Sequence, residues 1–125
     1  MKKLIMTLML VCFVGTANAH EMTPTYPKLE PSHLDGLLVT TMQMFNKRAE
    51  IEYYEIAVFD KEWNPVPFVT SYNVIKIDYL GKVTFDVYIR KSDKNRVGYI
   101  CSRSKLKKEP TVRTAVASRI CSKFK

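Results

Sequence analysis

Between Val83 and Ile89 the chain alternates strictly: Val83, Phe85, Val87 and Ile89 are apolar, and Thr84, Asp86 and Tyr88 separate them. A period of two is the signature of a strand, because successive side chains leave opposite faces of a pleated backbone. The pattern predicts a half-buried strand over residues 83–90. The same reading applies to Glu50–Phe59, where Tyr54, Ile56 and Val58 share one face and Glu55 and Ala57 the other. In Leu37–Asn46, Val39, Thr41 and Phe45 oppose Leu38, Thr40, Met42 and Met44. Both of its faces are fairly apolar, which predicts cover on both sides. Ile75, Ile77 and Tyr79 alternate with Lys76 and Asp78, and Val97, Tyr99 and Cys101 fall together on a strand over 96–102. In the last segment, 111–121, Val112, Val116 and Ile120 recur every fourth residue, a spacing that also fits a helix. A strand is preferred there because it returns Cys121 to Cys101.

Turn chemistry separates these segments. Asp35-Gly36, Asn46-Lys47-Arg48, Leu80-Gly81-Lys82 and Lys91–Asn95 are turns, and Leu106–Pro110 is a basic loop. Asp60, Asn64, Pro65 and Pro67 form a corner after the Tyr54 strand. His20–Pro31, punctuated by Pro24, Pro27 and Pro31, is suited to a sheet edge and excluded from a central strand. About seven short strands with such punctuation predict an all-β fold, a single immunoglobulin-like antiparallel β-sandwich.

The start of the chain is of another kind. Lys2 and Lys3, the apolar run Leu4–Val14 and Ala17-Asn18-Ala19 have the layout of a cleaved signal peptide over residues 1–19. The run is shorter than the roughly 20 residues a bilayer requires, so no membrane span is expected after cleavage. The domain is then 20–125, periplasmic or secreted, with 106 of the 125 residues and a net charge of +6. The charges are scattered except at Arg103, Lys105, Lys107 and Lys108, read as a solvated loop; with export, this argues against a nucleic-acid partner. Cys101 and Cys121 remain after cleavage, and in an oxidising compartment they are expected to form a disulfide.

No catalytic constellation emerges, and the chain reads as non-enzymatic. A hydrolytic triad would need His33, which precedes the first strand and has no elbow motif. Glu50, Glu52 and Glu55 read as the wet face of a strand. Cleavage before His20 would place a free amine beside an imidazole, a chelate suited to Cu(II), with His33 as a second ligand. The opening resembles exported copper proteins of the CopC type, although their later histidine has no counterpart here. Trp63 reads as a plug in the proline corner if buried, and as a protein-binding anchor if exposed.

The order of elements resembles the N-terminal immunoglobulin-like domain of PapD-like periplasmic pilus chaperones. The residues that carry the resemblance are the strand Leu38–Asn46, then Tyr54-Glu55-Ile56-Ala57-Val58-Phe59-Asp60, then Ile75-Lys76-Ile77 with the Gly81 turn and Val83-Thr84-Phe85-Asp86-Val87. The resemblance covers roughly Pro27–Ser104. It implies an exported module that binds a protein partner through strand edges. Val112, Val116 and Ile120 are the candidates for that surface, with sandwich core as their other reading. Those chaperones have two such domains, where this chain has room for one. They hold a subunit's carboxylate with a basic pair in the inter-domain cleft, and no residue here is matched to that pair. The function expected is binding or support of a protein assembly, chaperone-like or as a component of a surface structure. The alternatives are a periplasmic copper-binding protein and a small structural protein of a phage or mobile element.

Overall fold

The computed structural model describes residues 20–107 and 118–125, and these residues form eight strands. They are β1 (Glu21–Thr23), β2 (Glu30–Pro31), β3 (Leu37–Phe45), β4 (Ile51–Asp60), β5 (Val74–Lys76), β6 (Lys82–Arg90), β7 (Val97–Lys107) and β8 (Arg119–Lys123). A 3-10 turn at Lys91–Asp93 joins β6 to β7. The expected signal segment and the candidates Val112 and Val116 lie outside the described residues.

Two antiparallel sheets face each other. In the first, β3 is flanked by β6 on one side and by β1 and β2 on the other; the second runs β5-β4-β7-β8. Alternation decides what lies between them. Met42, Met44, Phe85, Val87 and Ile89 from the first sheet meet Tyr54, Ile56, Val58 and Ile100 from the second, each 7% exposed or less. Burial of each such side chain stabilises the fold by about 1.5–3 kcal/mol. This is an immunoglobulin-like sandwich, as the alternation predicts.

Several local expectations are corrected. β3 is covered on one side only: Leu38, Thr40, Met42 and Met44 are buried, whereas Thr41 and Gln43 are exposed. β5 is three residues long; Ile77 still donates its N–H to the Glu52 carbonyl of β4 at 2.7 Å, and beyond it the Gly81 N–H closes a turn on the Asp78 carbonyl at 2.8 Å. β7 continues to Lys107, into the stretch read as a basic loop, and β8 extends past Cys121 to Lys123. Tyr99 and Cys101 lie on the outer face, opposite Phe59 and Ala57, while Ile100 and Ser102 face the core. A bulge returns Val97 to the interior, since the pairing shifts between Phe59–Tyr99 and Asp60–Val97. Gly98 is the extra residue, and a Cβ there would sit 2.9 Å from the Asp60 carbonyl carbon and the Lys61 nitrogen.

The disulfide is present. Cys101 and Cys121 are directly opposed on β7 and β8, with Cα atoms 4.1 Å apart. The N-terminal arm closes the sandwich between its sheets. β1 pairs with β3 of the first sheet; Thr25 and Pro27 then accept N–H bonds from Lys123 and Lys125 at 3.0 and 3.1 Å, running parallel to the end of the second.

Candidate protein-binding groove

The last residues of the chain repeat the alternation. Phe124 packs against the core, which leaves Lys123 and Lys125 to project outward. The Phe124 N–H bonds to the Gly98 carbonyl at 2.9 Å, so this tail follows the bulge. The arm brings Lys28 and Leu29 to the same place after its pairing with Lys123 and Lys125. The turn after β4 contributes Lys61, and the turn before β7 contributes Lys94 and Asn95. Together with Val97 and Tyr99 these residues line a groove of about 760 Å³, within the range of ligand-binding clefts. Leu29, Val97 and Phe124 give it an apolar floor.

Five lysines surround that floor, and among the described residues none of the five has a carboxylate within ion-pair distance. The acidic residues at the bases of the adjoining turns are engaged elsewhere. Asp93 takes Arg90 at 2.9 Å and Arg96 at 3.0 Å, and those guanidiniums, Arg90 foremost, hold its carboxyl below the ordinary range. Asp60 accepts the N–H groups of Asn64 and Glu62, each at 2.9 Å, which lowers its pKa in the same sense, Asn64 first. Among the described residues, no ion pair within 4.0 Å therefore ties up the lysine ammonium groups, and a concave surface concentrates such a field.

An aromatic platform adjoins the groove through Lys61 and Tyr99. The Asp60 bonds shape a tight turn in which Trp63 adopts φ +68° and donates its N–H to the Asp60 carbonyl at 3.1 Å. That turn folds the indole back onto Tyr99, stacked at 4.1 Å with an interplanar angle of 4°. Phe59 packs against the indole at 5.8 Å. The Arg119 guanidinium lies 4.8 Å from the Phe59 ring centre and 5.1 Å from that of Trp63. Trp63 remains 47% exposed, so it is not a buried plug: it is a preordered aromatic surface.

The other sequence candidates occupy different environments. Ile120 is half-buried on β8, packed against the core. His20 is 1% exposed, with Nε2 2.7 Å from the Ser102 hydroxyl and Nδ1 3.1 Å from that of Ser118. Its ring packs on Tyr54 at 4.5 Å. Burial holds its pKa down at about 4, with the positive charge of Arg48 acting in the same direction and the Ser102 contact opposing. His33 is exposed on the outside of the first sheet, edge-on to Tyr88. The structure does not bring the two histidines into one site, and Cu(II) at the His20 ring would have to displace a serine hydroxyl. No group of three or more His, Cys, Asp or Glu side chains suited to a metal occurs among the described residues.

Sequence reasoning did not find the groove. The Lys123-Phe124-Lys125 alternation signals part of it, but Lys28, Lys61 and Lys94 come from connections far apart in the chain.

No family model matches this sequence, and no curated protein matches it. Solved structures do. A chain in the complex of the Salmonella enterica SafA pilin with the SafB chaperone is similar over 85% of this chain and 52% of its own, at 11% identity and a TM-score of 0.64. The E. coli chaperone DraB is similar over 85% and 53%, at 14% identity and a TM-score of 0.61. The periplasmic chaperone SfaE is similar over 85% and 56%, at 12% identity and a TM-score of 0.53. In fold, the chain resembles periplasmic pilus chaperones. It spans about half the length of each of those chains.

Proposed function

We propose that this chain is an exported, non-enzymatic, chaperone-like module that binds a partner polypeptide, taking an anionic segment or chain end of that partner into the lysine groove. The observation that carries the reading is the set of five lysines that have no ion pair among the described residues, around an apolar floor continuous with the Trp63–Tyr99 stack. An acidic chain end with neighbouring apolar side chains complements both parts: carboxylates meet ammonium groups, and apolar or aromatic side chains meet Leu29, Phe124 and Trp63. The fold likeness to periplasmic chaperones supports a protein partner and a periplasmic location.

The test is capture from periplasmic extract on the immobilised protein, compared across variants. The expected result is a partner retained by the wild type, released by salt, and lost from the double variant Lys28→Glu/Lys123→Glu. Trp63→Ala should weaken retention without changing its salt dependence. Retention of the same partner by the charge-reversed variant at the same salt concentration would refute the groove as the binding site.

A further inference from the structure

Among the described residues, the outer edge of β6 leaves backbone groups of the first sheet open. Tyr88 donates its N–H to Val69 and accepts the Val69 N–H, at 2.8 and 2.9 Å, so its backbone groups point away from β3. The ladder between β3 and β6 runs without a register shift from Leu37–Arg90 to Phe45–Lys82. Backbone direction alternates along a strand, so Lys82, Thr84 and Asp86 also direct their N–H and C=O groups outward. Among the described residues, none of these outward groups has a backbone partner. Such an edge is a template for another strand.

We propose that β6 pairs antiparallel with β6 of a second copy of this chain, centred on Thr84. The sequence of the edge selects that occupant and that register. With Thr84 opposite Thr84, Lys82 of each copy faces Asp86 of the other. All three pairs then fall at hydrogen-bonded positions, because every residue in them has its backbone groups outward. Lys82 and Asp86 are both exposed and neither has an ion pair among the described residues. Among the described residues Asp86 accepts only the Thr41 hydroxyl, at 2.6 Å, and Lys82 lies over the Phe45 ring at 5.5 Å. The twofold axis uses each charge pair twice, the self-complementarity that an isologous interface requires. On the inner face the same register sets Val83 opposite Phe85 and covers Val83, which is half-buried in one copy. Pairing ends at Asp86, since Val69 occupies the groups of Tyr88. The exposed Leu80 and Tyr79, 57% and 53% accessible, then extend toward the Val69 end of the partner copy. The contact is short, so the association is weak and concentration-dependent, and it leaves the lysine groove free.

Sedimentation velocity on protein purified from full-length expression, from about 10 μM to 1 mM, provides the test. The wild type should dimerise within that range. Lys82→Glu opposes like charges at two pairs and should raise the dissociation constant about tenfold. Lys82→Glu/Asp86→Lys should restore it by reversing the pairs. Thr84→Pro removes an outward N–H that the folded monomer does not use and should abolish the dimer. A circular-dichroism melt at low concentration verifies that each variant folds. In amide exchange, protection of Thr84 and Asp86 should rise with protein concentration while that of Glu55 stays constant. A wild type that stays monomeric to 1 mM would overturn the proposal. So would a dimer indifferent to Lys82→Glu and Thr84→Pro, or one broken by Lys82→Glu but not restored by the charge swap.

Discussion

Asn46 shows how one side chain can organise a region that the sequence presents as a plain turn. It is fully buried. Its amide donates to the carbonyls of Ile51 and Ile77 at 2.7 and 2.8 Å, and its oxygen accepts from the Arg48 N–H at 2.8 Å and the Tyr54 hydroxyl at 2.5 Å. All four bonds of a primary amide are thus used. Asn46→Ala strands buried groups on three segments, and we expect a loss of about 2–4 kcal/mol in urea unfolding. Tyr54→Phe should cost less, about 1–2 kcal/mol, and the double variant less than the sum, because the two side chains share a bond. Burial pushes the Tyr54 phenol up to about 12, so it stays protonated as this donor role needs. His20 provides a separate, pH-dependent signal. Its pKa is about 4 in the fold against roughly 6.5 unfolded. The unfolded chain therefore binds more protons between those values. Stability is complete above about pH 6.5, falls on acidification, and stops falling from this cause below pH 4, a loss on the order of 3 kcal/mol. Glu50 and Glu55 have lowered pKa values and act at lower pH, so the window from 5 to 6.5 isolates the histidine. Urea midpoints measured across that window should flatten in His20→Gln.

At the scale of elements, the hairpin of β7 and β8 carries the disulfide between residues opposed in register. The bridge joins the end of the chain to a central strand of the second sheet. Cys101→Ser and Cys121→Ser should each lower stability by roughly 2–5 kcal/mol. The double variant should be no worse than either single one, since both remove the same bond. Two thiols titrating in the native, oxidised protein would contradict the bridge. These elements were legible because alternation survives wherever one face meets a core: Val83–Ile89 and Tyr54–Val58 reappear unchanged. The bulge was not, because Gly98 reads as an ordinary weak strand residue until Asp60 and Lys61 are seen against its Cα. The two-sided cover expected for β3 failed for a related reason. Val39 and Phe45 are apolar yet only half-buried, and apolar composition alone does not say whether another layer exists.

At the scale of the molecule, the net charge was legible but its placement was not. The sequence shows 20 basic residues against 12 acidic ones, and its densest basic cluster, around Lys105, proves to be partly neutralised: Lys105 and Arg103 reach Glu55 at 2.8 and 3.8 Å. The lysine charge of the groove is instead assembled by folding, from the arm, two turns and the tail. Lysines gathered with no ion pair among the described residues repel one another, and a protein bears such a cost where binding requires it. This separates a binding role for the groove from a structural one. If the lysines served the fold, replacing them would destabilise it. If they serve a ligand, Lys28→Gln/Lys123→Gln should leave the melting temperature unchanged or raise it, by up to about 0.5 kcal/mol in free energy, while partner capture fails. Screening predicts a companion effect: salt from 10 to 500 mM should raise the wild-type melting temperature more than that of the double variant. Calorimetry at the two salt concentrations checks both. A variant that melts well below the wild type at either concentration would assign the lysines to the scaffold and leave the Trp63–Tyr99 platform as the remaining binding surface.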